Sequence, residues 1–278
     1  MGETIAPQEE VSAIALASLA TLAIIGGVIL YKWLQYKAYD NPLLAHSFLT
    51  SSLNIKQKEI LHKYFKFYNY LPKRSKDIFE FRVAKFMSLR QFIPRQMQSV
   101  SEEMKVLISA SAIMVTFGYP RVFLSYFKYI VVFPDQFFSG AGQRYHKGEV
   151  NPREKAVVLS WRHFVEGYAS SEGVNLGIHE MAHALQLENA ITNHEFNFID
   201  EEAADYWQRL TDLEIAKIRN GDISFFRAYA ATDHSEFFAV CAENFFERPG
   251  AFAGYNYELY NCLKRIFRQD PLMLYKEL

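Results

Sequence analysis

The stretch GIHEMAHALQLEN, Gly177 to Asn189, sets the strictest condition on how this chain can fold. Ile178, Met181, Ala182 and Leu185 recur at the i, i+3, i+4, i+7 spacing of a helix whose apolar stripe packs inward. His179 and His183 sit one position along from that stripe, four residues apart, so both imidazoles share a face and can reach one ion. Glu180 projects beside them, placed to take a proton from an attacking water. A catalytic zinc takes three protein ligands and keeps a fourth position for water. The fold must therefore bring one more ligand to this face from outside the helix. The competing reading is two helix histidines bonded to carbonyls or water.

Spacing offers two candidates for the missing ligand. Glu202 follows at the interval familiar from zinc aminopeptidases, but a glutamate in the first turn of a helix is also favoured by the helix dipole alone. Glu236 opens the following helix in DHSEFFAVCAENFFERP, where Asp233 and Glu236 have the spacing of a capping box. Spacing leaves both open. Glu243, two turns after Glu236, can orient a histidine through its free ring nitrogen or can cap or face solvent. His163, His194 and His234 are isolated histidines near the motif in sequence and are not expected to be ligands.

Around the motif the pattern is mostly helical. Leu61, Tyr64, Phe65 and Tyr68 recur at helical spacing up to Pro72, and further helices are expected over Lys76 to Leu89, from a Ser99/Glu102 capping box to Phe117, and over Val174 to Leu187, Asp200 to Arg219, Ser235 to Phe246 and Tyr257 to Phe267. YIVVF (Tyr129 to Phe133) and AVVLSW (Ala156 to Trp161) read as strands, the second either an ordinary core strand or an edge on which an extended substrate lays its backbone. No repeat or internal linker interrupts the pattern, which predicts one α+β domain with a small sheet. The 278 residues are half apolar, enough for such a core, and a formal charge of −1 gives no footprint for nucleic acid. Cys241 and Cys262 are too few for a disulfide framework and read as buried thiols.

The N-terminus carries a separate signal. VSAIALASLATLAIIGGVILY, residues 11–31, has no charged residue and is long enough to cross a hydrocarbon core of about 30 Å. It predicts one transmembrane helix after a tail over 1–10, with a juxtamembrane segment over 32–53 and the globular domain over 54–278. Lys32 and Lys37 after the span turn the C-terminal bulk toward the cytoplasm, so the expected location is the inner membrane.

Four blocks resemble, in order, the Mlc titration factor A zinc peptidases: VVLSW (Val157 to Trp161), HEMAHALQLE (His179 to Glu188), YAATDHSEFFAVCAENFFERP (Tyr229 to Pro249) and FRQDPL (Phe267 to Leu272). The resemblance runs from about Tyr64 to the C-terminus, and the family's active site is similar to that of the anthrax lethal factor catalytic domain. It implies a zincin-like metallopeptidase domain, one catalytic Zn²⁺ held by His179, His183 and Glu236, Glu180 as general base, and Tyr229 as an active-site tyrosine. Glu236 is thus preferred to Glu202 on resemblance. The implied activity is gluzincin-type hydrolysis of a peptide or protein substrate. The alternative is a non-catalytic module at the membrane that sequesters a protein partner such as a transcriptional regulator. The best-known family members lack the apolar N-terminal run.

Overall fold

Helices supply most of the fold, and a four-stranded sheet supports the helix that carries the two histidines. The computed structural model describes residues 17–30, 52–139, 143–170, 172–191, 199 and 201–274. The chain divides into two units, Met1–Thr50 and Ser51–Leu278.

In the first unit residues 17–30 are helical. Among the described residues no helix is long and apolar enough to cross a membrane. That corrects the expectation of a transmembrane helix and of an inner-membrane location; residues 11–16 and 31–51 of the expected span and juxtamembrane segment lie outside the described residues.

The second unit begins with helices α1 (Ile55–Tyr64), α2 (Lys66–Tyr70) and α3 (Lys73–Leu89). The apolar spacing around Leu61 to Tyr68 spans two helices rather than one, because Phe65 leaves helical geometry and turns its buried ring onto Phe79. After β1 (Gln91–Pro94), α4 (Glu102–Thr116) starts at Ser101, whose hydroxyl accepts from Met104 N. The cap is therefore Ser101 and not the Ser99 of the expected box. From Val106 onward every residue of α4 is buried, which makes it the axis of the core.

Strands β2 (Tyr129–Phe133), β3 (Phe137–Ser139), β4 (Arg144–His146), β5 (Gly148–Asn151) and β6 (Ala156–Ser160) follow. The main sheet has the order β1-β2-β6-β5, with β1, β2 and β6 parallel and β5 antiparallel to β6; β3 and β4 pair as a separate hairpin. β6 is hydrogen-bonded on both sides, so it is an interior strand, and the reading of AVVLSW as a free edge is corrected. Its apolar residues Val157 and Leu159 are buried because both flanks and faces are covered. The edge is β5. Trp161 belongs not to the strand but to helix α5 (Trp161–Ala169), which Ser160 caps by accepting from His163 N.

The remaining elements are α6 (Leu176–Ile191), α7 (Glu201–Arg219), a 3-10 turn (Ala228–Ala231), α8 (His234–Glu247), α9 (Pro249–Tyr255), α10 (Tyr257–Phe267) and α11 (Pro271–Leu274). The α6 stripe Ile178, Met181, Ala182 and Leu185 is 0–1% exposed, as the periodicity requires. Helix α8 brings Phe237, Phe238, Phe245 and Phe246 into an aromatic cluster that includes Trp207 and Phe267. Those rings tie α8 to α7 and α10, and α8 also packs along α6, so side chains opening one helix can meet side chains midway along the other. Cys241 and Cys262 are buried thiols outside any disulfide, and Cys262 Sγ donates to Ala203 O.

Candidate metal centre

Helix α6 begins where Asn175 Oδ1 accepts from Ile178 N, the bond of an N-cap. Asn175 is itself held by α8: its backbone N–H donates to Glu243 Oε2 at 2.6 Å and its Nδ2 to Glu247 Oε1 at 2.8 Å. The start of α6 and the face of α8 are thereby fixed to each other, and His179 stands one turn into α6. Asp233 caps α8 by accepting from Ser235 N and Glu236 N, which leaves the Glu236 carboxylate free to point across to α6. It has no reciprocal capping role.

His179, His183 and Glu236 present ligand atoms that all lie within 4.8 Å of one another. The two Nε2 atoms are 3.2 Å apart, Glu236 Oε2 is 3.1 Å from His179 Nε2, and Glu236 Oε1 is 3.6 Å from His183 Nε2. Atoms bound to one tetrahedral zinc at ~2.0–2.1 Å sit about 3.3 Å from each other, so these spacings are those of ligands around an ion. The far nitrogen of each ring is already engaged. His179 Nδ1 donates to Glu243 Oε1 at 2.6 Å. His183 Nδ1 lies 2.9 Å from Ser235 Oγ, whose proton goes to Gln186 Oε1 at 3.3 Å, so the serine oxygen accepts from the ring. With both Nδ1 atoms protonated, both Nε2 lone pairs face one point. Glu236 Oε2 is buried there without an aligned hydrogen-bond partner. Two lone pairs and an orphaned carboxylate oxygen directed at one position are a donor set that fits a divalent cation.

The charges agree. Burial opposes protonation of His179, but contact with Glu236 and Glu243 outweighs it and raises the pKa to about 10. Burial alone would raise the Glu236 carboxyl, yet His179, His183 and then Tyr229 beside it hold it well below the ordinary carboxylate range. A pocket that favours positive charge on imidazole also favours a metal ion in the same place. Glu180 is 4% exposed, and burial pushes its carboxyl up against the pull of the two histidines, in the direction a general base requires. Its side chain lies against Gly148 at the start of β5, where any Cβ would overlap Glu180 Oε1. Tyr229, on the 3-10 turn, is half exposed, with its ring centroid 6.2 Å from that of His179. Burial and the neighbouring Glu236 raise its phenol pKa, which keeps the hydroxyl a donor.

Every residue expected at the site is thus brought together, and Glu243 faces inward, with 1% of its surface exposed. Glu202 is not. It pairs with Arg265 at 2.8 Å, and its side chain is 81% exposed. His163 serves the α5 cap and His234 pairs with Asp212 at 2.7 Å, both outside the three-residue group; His194 lies outside the described residues. Four contributors had not been singled out in the sequence. Arg227 grips Glu243 with both Nη atoms, at 2.7 and 3.1 Å, and its guanidinium lies 5.7 Å from the centre of the Tyr229 ring. Asn175 and Ser235 complete the hydrogen bonds above. Gly148 makes room for Glu180, and only that one had a readable signal, a glycine at a strand start marking close approach.

A profile of the glucose-regulated metallo-peptidase M90 family matches residues 44–268. The chain belongs to this family. Among its relatives, an uncharacterized protein of Synechocystis sp. is 24% identical, with 93% of this chain and 99% of that one covered. Mlc titration factor A of Salmonella agona is 33% identical over 123 residues, 41% of this chain and 45% of that protein. The protein of the same name from Salmonella gallinarum is 32% identical over 139 residues, 47% of this chain and 49% of that one. The matches thus span about half the length of the Mlc titration factors, and the family likeness read from the sequence blocks is upheld. Membership in a metallo-peptidase family implies a metal, and the His179, His183 and Glu236 group is where the residues fit one.

Proposed function

We propose that this M90 family member is a zinc-dependent peptidase of the gluzincin type, with His179, His183 and Glu236 as metal ligands. One observation carries the reading: both imidazoles have their Nδ1 engaged while their Nε2 atoms converge with Glu236 on a single point. When bound, zinc supplies a Lewis acid that polarises a carbonyl and lowers the pKa of a ligated water toward about 7.

The other steps belong to the chain. Glu180, buried and with its basicity raised, takes the proton of the attacking water and returns it to the leaving amine. Tyr229, held protonated, donates to the oxygen of the reacting carbonyl as it gains charge. Arg227 and Glu243 fix the His179 ring so that its Nε2 lone pair stays directed. The substrate backbone lies along the outer edge of β5, the strand whose first residue abuts Glu180.

Zinc stoichiometry of the full chain, measured together with hydrolysis of a broad peptide library, tests this reading. It expects one equivalent of metal and cleavage that a chelator abolishes. Metal binding without cleavage of any peptide would instead identify a binding module.

A further inference from the structure

The β3–β4 hairpin has two unlike faces. On the inner one Phe137 is buried and stacks on Phe133 at the end of β2, ring centroids 4.7 Å apart, and on His146 at 6.4 Å. This anchors the hairpin. On the outer face Phe138 and Tyr145 sit directly opposite each other in register, ring centroids 5.7 Å apart at 75°, yet they are 56% and 67% exposed. The anchoring does not need them, and beyond their contact with each other the two large rings form an exposed apolar surface with no role in fastening the hairpin to the sheet.

Their position gives them one. The chain runs from Tyr145 through His146 and Lys147 to Gly148, whose α-carbon lies against the Glu180 carboxylate. Three residues reach at most about 11 Å, which is also the length of about three residues of an extended peptide. Gly148 pairs with Leu159 near the C-terminal end of β6, and the hairpin is fastened to Phe133 at the same end of β2. Hairpin, edge-strand start and candidate base therefore share one end of the sheet.

We infer that Phe138 and Tyr145 form a substrate subsite that takes a bulky apolar or aromatic side chain two to four positions from the scissile bond. The inference rests on the peptidase reading for the meaning of that bond, and it narrows the substrate class to extended segments carrying such a side chain. Edge-on ring packing against the pair would tighten binding by about tenfold over alanine.

Binding and cleavage are read separately. A fluorescently labelled Ala/Ser host peptide with a single Phe walked along it is titrated into the zinc-loaded full chain carrying Glu180→Gln. At one or more positions Phe should bind about tenfold tighter than the all-Ala/Ser host, and adding Phe138→Ser with Tyr145→Ser should reduce that gain, measured against the host peptide on the same variant, below about twofold. A Phe138→Leu, Tyr145→Leu variant with the same melting temperature should keep part of the gain. If no position gains, or if the gain survives the double serine variant, the inference is overturned. If the serine variant abolishes the gain but the chain with Glu180 intact cannot cut the tight-binding peptide, the subsite stands and the peptidase reading falls.

Discussion

The Glu180 carboxylate is seated on the α-carbon of Gly148, in a space that no side chain at that position could share. A helix residue and an edge-strand residue are thus mutually dependent. Gly148→Ala should displace the carboxylate and lower kcat by about two orders of magnitude, since a misplacement of ~1 Å at the reacting groups has that effect. Metal content, set by His179, His183 and Glu236, should remain near one equivalent. Steady-state kinetics with metal analysis on the same sample checks both halves, and an unchanged kcat would place the base elsewhere.

Glu243 holds His179 from behind and Arg227 holds Glu243. Glu243→Ala should weaken zinc binding by roughly 10- to 100-fold. Arg227→Lys keeps the charge but loses the two-pronged grip, so its loss should be smaller. Competition with a chromophoric chelator ranks the variants, and a larger loss for the lysine variant would contradict the arrangement.

The ligand choice separates by exposure. Glu236→Ala removes a buried oxygen from the converging group and should leave the chain with little zinc, whereas Glu202→Ala removes an exposed partner of Arg265 and should change neither zinc content nor stability beyond about 0.5 kcal/mol. The reverse pattern of metal contents would reassign the third ligand.

How much of this was legible depends on whether a feature is local. His179, Glu180 and His183 share one helix turn, so periodicity alone put them on one face. Glu236 comes from another helix, and only the family resemblance raised it above Glu202; what brings it in is the packing of α8 on α6, a long-range fact. Tyr257 to Phe267 has the ends expected of it, and in the structure Asn256 caps it by accepting from Leu259 N. β1, ending in Pro94, carried too few residues for any pattern, and β6 looked like a possible edge because sequence does not encode which flank β5 will cover. Arg227 acts through the fold alone, 16 residues before its partner. The N-terminal run is read from hydropathy, which measures apolarity alone, and among the described residues no helix is long and apolar enough to cross a membrane.

Glu247 offers a pH test apart from the metal ligands. Burial first, and then the nearby Glu243 charge, raise its pKa to about 7, against opposing bonds from Asn175 and Gly173. A raised pKa means that the native state holds the proton more tightly than the unfolded chain does. Its contribution is therefore full below the unfolded value near 4.5 and lost as pH rises through about 7. Denaturant midpoints should fall between pH 5 and pH 8 in the wild type by an amount worth about 1–3 kcal/mol, and by less in Glu247→Gln. Equal falls in both proteins would assign the pH dependence to other groups.

Tyr229→Phe removes one donor to the reacting oxygen and should lower kcat by about 10²- to 10³-fold with KM nearly unchanged. A change confined to KM would make the tyrosine a binding residue only.

The most direct test compares peptide hydrolysis by the zinc-loaded wild type and by Glu180→Gln, with metal content measured on both. The account predicts one equivalent of zinc in each protein, cleavage by the wild type, and a rate at least about 10²-fold lower in the variant. Equal rates, or zinc-loaded wild type that cleaves no peptide, would contradict it.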